Sequence, residues 1–140
     1  MLVKKKNKMN LYNRTDIRPI IEGINDGLNK SIEEEFQNET LRPIIKLQHD
    51  LLIAFFREYI STKKNTFNQM SDLKKHEFIG NAFKKDNAFK LELKGLIIGH
   101  FTTKEFEIYC GKKSDYNKRI LRMIEQRLLS VIQLSKKNKF

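Results

Sequence analysis

Histidine is the residue type in this chain best suited to hold a metal ion, and three occur, at His49, His76 and His100. Asp50 and Glu77 directly follow two of them. Neighbouring residues on a helix point about 100° apart, whereas helical metal motifs place ligands four positions apart on one face. The spacing therefore predicts no metal site, and we predict no other cofactor.

Cys110 is the single thiol in the chain and the candidate for a thiolate nucleophile. It falls at the end of a predicted helix, and no pattern marks a histidine that would activate it. Core packing is therefore the favoured role of this side chain. Glycine-rich phosphate loops, nucleophile elbows and CxxC pairs are also missing, so the sequence predicts no catalytic residue.

The cysteine content and the apolar segments also bear on location. A single cysteine cannot form an internal disulfide, which agrees with a reducing compartment. The lysines near the N-terminus are not followed by an apolar run of signal-peptide length. No stretch approaches the roughly 18 apolar residues of a membrane helix. We therefore expect a cytoplasmic protein with no membrane partner.

Basic residues are concentrated at the two ends of the chain, whose net charge is +11. Residues 1–14 contain five basic and no acidic side chains, and residues 111–140 contain nine basic and two acidic ones. The 96 residues between them are almost neutral, with fourteen basic and fifteen acidic side chains. Basic ends are typical of proteins that contact a phosphate backbone, but lysine-rich ends also keep small proteins soluble, and AT-rich coding enriches lysine.

Part of this charge is predicted to lie on the polar face of the last helix and in the tail that follows it. Cations a few turns apart on one helix can present a continuous surface to phosphates. The predicted nucleic-acid-binding residues are Lys112, Lys113, Lys118, Arg119, Arg122, Arg127, Lys136 and Lys137.

These side chains must be positioned by helices. Only two prolines and six glycines occur in 140 residues, too few for the turns of an all-β domain. We predict an all-α fold, a small bundle of about five helices with flexible basic arms at both ends. Residues 1–14 form the N-terminal arm, residues 15–134 a single helical domain, and residues 135–140 the basic tail.

Polar residues indicate where the helices begin. Thr15 with its neighbour Asp16 is predicted to cap a short first helix that runs through Ile17, Ile20, Ile21 and Ile24. Capping boxes, in which a hydroxyl residue is followed three positions later by glutamate, occur at Ser31 and Thr102. Ser71 is predicted to cap a further helix, and another is expected from Ala88 to Ile98.

The clearest helical pattern runs from Leu41 to Ile60, where apolar residues recur at spacings of three and four. Pro43 lies near its start and has no backbone N–H. Either Thr40 caps a new helix with Pro43 in its first turn, or one long helix is kinked there. The last helix, with Ser114 as its predicted cap, has a regular apolar stripe. It consists of Tyr116, Ile120, Ile124, Leu128, Val131 and Ile132.

Aromatic side chains could contribute base stacking to a nucleic-acid site. The candidates are Phe55, Phe56, Phe83, Phe89, Phe101 and Phe106. Most recur at helical spacing among aliphatic residues, which favours packing in the core. Nucleic-acid contacts would then depend on charge, which predicts recognition of phosphates or shape with little sequence selectivity.

Three blocks of the sequence carry a family resemblance. They are ETLRPIIKLQHDLL at 39–52, LKGLIIGHFT at 93–102 and NKRILRM at 117–123. In these blocks the chain resembles a family of short bacterial proteins often labelled glyoxalase, with similarity over roughly residues 30–132. The resemblance supplies no catalytic residue. The label itself implies a lactoylglutathione lyase with paired βαββ(β) modules and His and Glu metal ligands on strands, whereas alternating strands are missing from this sequence.

These observations favour a non-catalytic protein that binds nucleic acid, RNA before DNA, or a ribonucleoprotein such as the ribosome. Two alternatives stay open. One is a protein adaptor that holds a protein partner in an apolar groove beside the helix at 41–60. The other is the metal-dependent glyoxalase that the family label implies. The sequence does not predict the oligomeric state.

Overall fold

Helices account for the regular structure of residues 13–21, 30–63 and 66–134, the part of the chain that this computed structural model describes. The described residues contain no strand, which confirms the all-α prediction. In chain order the α-helices are α1 (Ile32–Phe36), α2 (Arg42–Leu47), α3 (His49–Ser61), α4 (Asp72–Lys85), α5 (Asn87–Ile98), α6 (Thr103–Gly111) and α7 (Lys113–Leu134). A π-helical turn, Gln37–Leu41, joins α1 to α2, so residues 32–47 form one rod. The described chain thus has six helical rods where about five were predicted.

Most of the two predicted basic arms, residues 1–12 and 135–140, lies outside the described residues. Arg14, the last residue of the predicted first arm, is described, and its Nη1 donates to the backbone carbonyl of Gly99 over 2.6 Å. A 3₁₀ turn covers Arg14–Ile17 and is capped by Asn13, whose side chain accepts from the Thr15 amide. The predicted cap at Thr15 is therefore wrong, because the turn begins one residue before it. The prediction also extended this helix through Ile20 and Ile21, which is wrong, because residues 18–21 are not helical and Pro19 disfavours the helical conformation at Arg18, whose backbone is extended. Ile24, its last predicted apolar position, lies outside the described residues.

Ser31, Ser71 and Thr102 begin helices as predicted. The hydroxyl oxygens of Ser31 and Ser71 accept from the backbone amides three residues later at 3.1 and 3.2 Å. At Thr102 the capping box is complete, because the Glu105 carboxylate accepts from the Thr102 amide at 2.9 Å. Each bond satisfies a backbone donor that the first turn of a helix leaves without a partner.

Two further helix starts differ from the prediction. Helix α7 begins at Lys113, so Ser114 lies inside its first turn and is not its cap. The carbonyl of Lys112 already accepts the first helical hydrogen bond, at 3.0 Å. Helix α5 begins just before the predicted Ala88, because the Asp86 carboxylate accepts from the amide three residues later and caps it.

Pro43 is the second residue of α2, and both predicted alternatives need correction there. Thr40 is not a cap, since its hydroxyl donates to Glu105. The backbone stays helical from α1 through α2, as the single-helix alternative required. The irregularity, however, is a π-helical turn before the proline and not a kink at the proline itself. In that turn the amide of Arg42 reaches back to the carbonyl of Gln37. The wider turn accommodates a residue that has no N–H to donate.

Helix α7 lies at the centre of the packing and contacts α4, α5, α6 and the π-helical turn. Its predicted stripe is buried except for the half-buried Val131. The buried members are Tyr116, Ile120, Ile124, Leu128 and Ile132. No described helix has the length and apolar character required to cross a membrane.

The predicted core role of the phenylalanines holds for four of the six. Those buried are Phe56, Phe83, Phe89 and Phe101. Phe55 packs against the core but is half-buried, and Phe106 is 46% exposed, so core packing is wrong for Phe106. Cys110 is exposed near the end of α6, which overturns its predicted place in the core.

Glu105 connects the segment at 13–21 to the helices. Both of its carboxylate oxygens accept from the Arg18 guanidinium, each at 2.7 Å, and Thr40 donates to one of them at 3.1 Å. The same guanidinium donates to the carbonyl of His100 at 2.8 Å. The Arg18 and Glu105 side chains are 7% and 15% exposed, so the ion pair is largely withdrawn from water.

Candidate nucleic-acid interface

Lys118 and Arg122 lie on the outer side of α7, because residues four apart share one face of a helix. Gln126 and Ser130 continue this row, and all four side chains are exposed. We call these four residues the crest. Among the described residues, neither crest cation has a hydrogen-bonding or ion-pair partner. Their head groups are therefore open to an anion from outside the chain.

Two of the predicted binding residues are instead engaged with carboxylates. Lys112 forms an ion pair with Glu33 of α1, and this contact raises the pKa of Lys112 and lowers that of Glu33. Arg119 contacts Asp115 at 3.2 Å and donates to the side-chain oxygen of Gln37 at 2.9 Å. Lys112 therefore attaches the turn before α7, and Arg119 attaches α7 itself, to the rod at 32–47. Both charges are partly compensated by these contacts.

The remaining predicted residues fall into two groups. Lys113 is exposed in the first turn of α7 and has no partner within the described chain. Lys136 and Lys137 lie outside the described residues.

A cleft of about 620 Å³ separates the rod at 32–47 and the start of α3 from the second half of α7. Its lining residues are Ile21, Arg42, Ile45, Lys46, His49, Met123, Gln126, Arg127, Ser130 and Val131. Among these described residues the polar members include three cations and no carboxylate. Crest residues Gln126 and Ser130 belong to this lining, so the crest runs directly into the cleft.

Arg127 is set into the wall of this cleft and is half-buried. Its Nη1 lies 3.1 Å from Nδ1 of His49, its hydrogen-bonding partner in the described part of the chain. A guanidinium has no acceptor atom, so the histidine ring nitrogen accepts this hydrogen bond. Burial, with a smaller contribution from the charge of Arg42, lowers the pKa of Arg127. Within the described ranges Arg127 thus has no carboxylate partner and lies near another cation, Arg42.

Arg42, Lys46 and His49 are functional candidates that the sequence prediction missed. Their spacing of four and then three residues places them on one helical face, and this was the available signal. Their juxtaposition with Arg127 depends on how the rod packs against α7, which no local pattern specifies. The predicted site contained Arg127 but assigned it to the surface of one helix.

A second, smaller recess of about 220 Å³ lies beside α3, on the surface where the adaptor hypothesis placed an apolar groove. Phe55, Tyr59 and Phe89 line it together with Glu58 and Glu92. Its charge is opposite to that of the cleft. The rings of Tyr59 and Phe89 stack on each other with centroids 4.1 Å apart, so a nucleic-acid base cannot insert between them.

The histidines are not brought together. In the described ranges no group of three or more His, Cys, Asp or Glu side chains is placed to hold a metal ion. His49 faces the cationic cleft, His76 is exposed on α4, and burial together with Arg14 and Arg18 lowers the pKa of His100.

No family model, curated protein or solved structure matches this chain. The resemblance to the glyoxalase-labelled family therefore stays a prediction. The βαββ(β) modules that the label implies are not found in the described residues, which are helical.

Proposed function

We propose that this protein binds nucleic acid, RNA before DNA, through contacts to the phosphate backbone and without catalysing a reaction. The observation that carries the proposal is the continuity of the crest with the cleft. Together they form one surface of cations that have no carboxylate partner in the described part of the chain. We call this surface the cationic edge. It consists of Lys118 and Arg122 on the crest and of Arg42, Lys46 and Arg127 in the cleft.

Five cations on one surface favour a phosphate polymer for a thermodynamic reason. Each neutralised phosphate releases condensed counterions, which adds affinity independently of base sequence. Base stacking contributes little here, since most phenylalanines of the helical region are packed in the core. We therefore expect binding that depends steeply on salt and weakly on sequence.

Filter binding with duplex RNA and duplex DNA of equal length tests the proposal. If the five cations of the cationic edge each contact a phosphate, affinity falls by at least about 10²- to 10³-fold between roughly 50 and 200 mM salt, and contacts by the terminal lysines would make the fall steeper. Tighter binding to RNA supports RNA as the preferred polymer, and tighter binding to DNA would make DNA the preferred polymer. Binding that is indifferent to salt, or the absence of binding to both duplexes, contradicts the proposal.

A pair of charge-matched variants separates the position of charge from its amount. K118Q/R122Q removes two cations that have no carboxylate partner among the described residues, and K112Q/R119Q removes two that contact Glu33 and Asp115. At about 100 mM salt we expect the first variant to lose roughly tenfold or more in affinity and the second about threefold or less. Helix content by circular dichroism controls for folding. Equal losses would show that net charge, and not the cationic edge, determines binding.

An adaptor function is the second candidate, and the recess beside α3 is the observation that favours it. Its rings and carboxylates suit a short basic segment of a protein partner. Purification from native lysate with and without nuclease distinguishes the two functions. A protein that stays bound after nuclease treatment, and is lost from E58Q/E92Q, would support the adaptor; partners released by nuclease support nucleic-acid binding.

A further inference from the structure

Arg127 occupies an electrostatically unfavourable position in the wall of the cleft. Partial burial removes water from its guanidinium, and its described partner is a histidine ring nitrogen at 3.1 Å rather than a carboxylate. Arg42 and Lys46 add two positive charges to the same lining, whose described residues include no carboxylate. Like charges that converge without a counter-charge are stabilised when an anion binds between them.

We propose that the cleft between the rod at 32–47 and α7 is a binding site for a phosphate monoester. Arg127 supplies the planar fork of donors that matches phosphate oxygens, and Arg42 and Lys46 supply further charge from the facing helix. A terminal phosphate carries a charge of about −1.5 to −2 at pH 7, whereas a phosphodiester carries one negative charge, so three converging cations favour the terminal group. If the monoester is the end of a nucleic-acid strand, this proposal rests on the proposed function.

The dimensions of the cleft define what the phosphate is attached to. A volume of about 620 Å³ is far larger than one phosphate and lies in the range of pockets for nucleoside-sized ligands. Ile45, Met123 and Val131 provide an apolar wall for a sugar or base, while Gln126 and Ser130 offer polar groups at the mouth. The ligand class is thus a phosphate monoester of a nucleoside-sized group, either a 5′-phosphorylated strand end or a free mononucleotide.

The test compares the full-length protein with R42Q/K46Q, in which two exposed cations of the cleft are neutralised, and with K84Q/K104Q as the charge-matched control on α4 and α6. The first probe is a single-stranded RNA of about 12 nucleotides with either a 5′-phosphate or a 5′-hydroxyl, measured by fluorescence anisotropy. The second probe is adenosine 5′-monophosphate against adenosine, measured by isothermal titration calorimetry.

A preference of about tenfold or more for the 5′-phosphorylated strand, lost in R42Q/K46Q and kept in K84Q/K104Q, supports the strand end as the source. Binding of adenosine 5′-monophosphate but not adenosine, with the same response to the variants, supports the free mononucleotide. If neither probe shows a phosphate preference that R42Q/K46Q removes, the monoester site is overturned. In that case, salt-dependent binding of the 5′-hydroxyl strand would still support the proposed function. Conversely, binding of the mononucleotide without binding of either strand would support the monoester site in the cleft and overturn the proposed function.

Discussion

Glu105 is the residue where three parts of the described chain meet, because its carboxylate accepts from Arg18, Thr40 and the Thr102 amide. E105Q keeps the size of the side chain but presents an amide group to Arg18, a side chain that is only 7% exposed. We expect the free energy of unfolding to fall by about 2–3 kcal/mol, measured by urea denaturation at pH 7. The exposed Glu107 on the same helix provides the control, because E107Q should change stability by less than about 0.5 kcal/mol. Equal effects of the two substitutions would show that the ion pair contributes nothing specific.

The same carboxylate predicts how stability depends on acid pH. Burial alone raises the pKa of Glu105, but the hydrogen bonds from Arg18 and the Thr102 amide outweigh it and hold the pKa below the ordinary 4.5. The unfolded chain therefore takes up a proton at a higher pH than the folded one. The stabilisation is complete above pH 4.5 and is lost as pH falls through the lower, folded pKa. Urea titrations should show the difference between wild type and E105Q shrinking below pH 4.5; a constant difference down to strong acid would contradict this.

At the scale of the element, the start of α5 depends on Asp86. Its carboxylate accepts from the Phe89 amide at 3.1 Å and from the Tyr59 hydroxyl at 2.7 Å, and burial with this second bond raises the pKa of Tyr59 to about 12. We expect D86A to lower the free energy of unfolding by about 1–2 kcal/mol, because it removes the helix cap and leaves Tyr59 without its acceptor. D86N can still cap the helix and accept from Tyr59, so it should cost less than half as much. If D86N and D86A destabilise equally in urea denaturation, capping is not the cause.

The helices illustrate which parts of this fold are readable from local sequence. Ser31, Ser71 and Thr102 begin helices as predicted because a cap is a contact within four residues. The π-helical turn before Pro43 was not predictable, because the residues around the proline are compatible with both an α-helical and a π-helical backbone. The turn that formed also places the Thr40 hydroxyl on Glu105, a contact 65 residues away in sequence.

At the scale of the whole molecule, the candidate site is a product of packing. The sequence predicted a cationic side of the last helix, and Lys118 and Arg122 lie there without carboxylate partners in the described chain. It also predicted Lys112 and Arg119 as binding residues, but they form ion pairs with Glu33 and Asp115. The cleft combines Arg127 with residues about eighty positions earlier, so its charge arises only when the rod at 32–47 packs against α7.

The terminal lysines are expected to add to affinity without adding to stability. Removing residues 1–12 and 135–140 takes away seven lysines and lowers the net charge from +11 to +4. The described hydrophobic core lies between Phe36 and Ile132, so the free energy of unfolding of the shortened chain should stay within about 1 kcal/mol of the full-length value. Each lysine that neutralises a duplex phosphate contributes about −0.9 to the slope of log affinity against log salt. We expect filter binding to show a slope shallower by about 3 or more, with at least half of the lysines in contact. An unchanged slope would assign all phosphate contacts to the cationic edge and remove the terminal lysines from the interface.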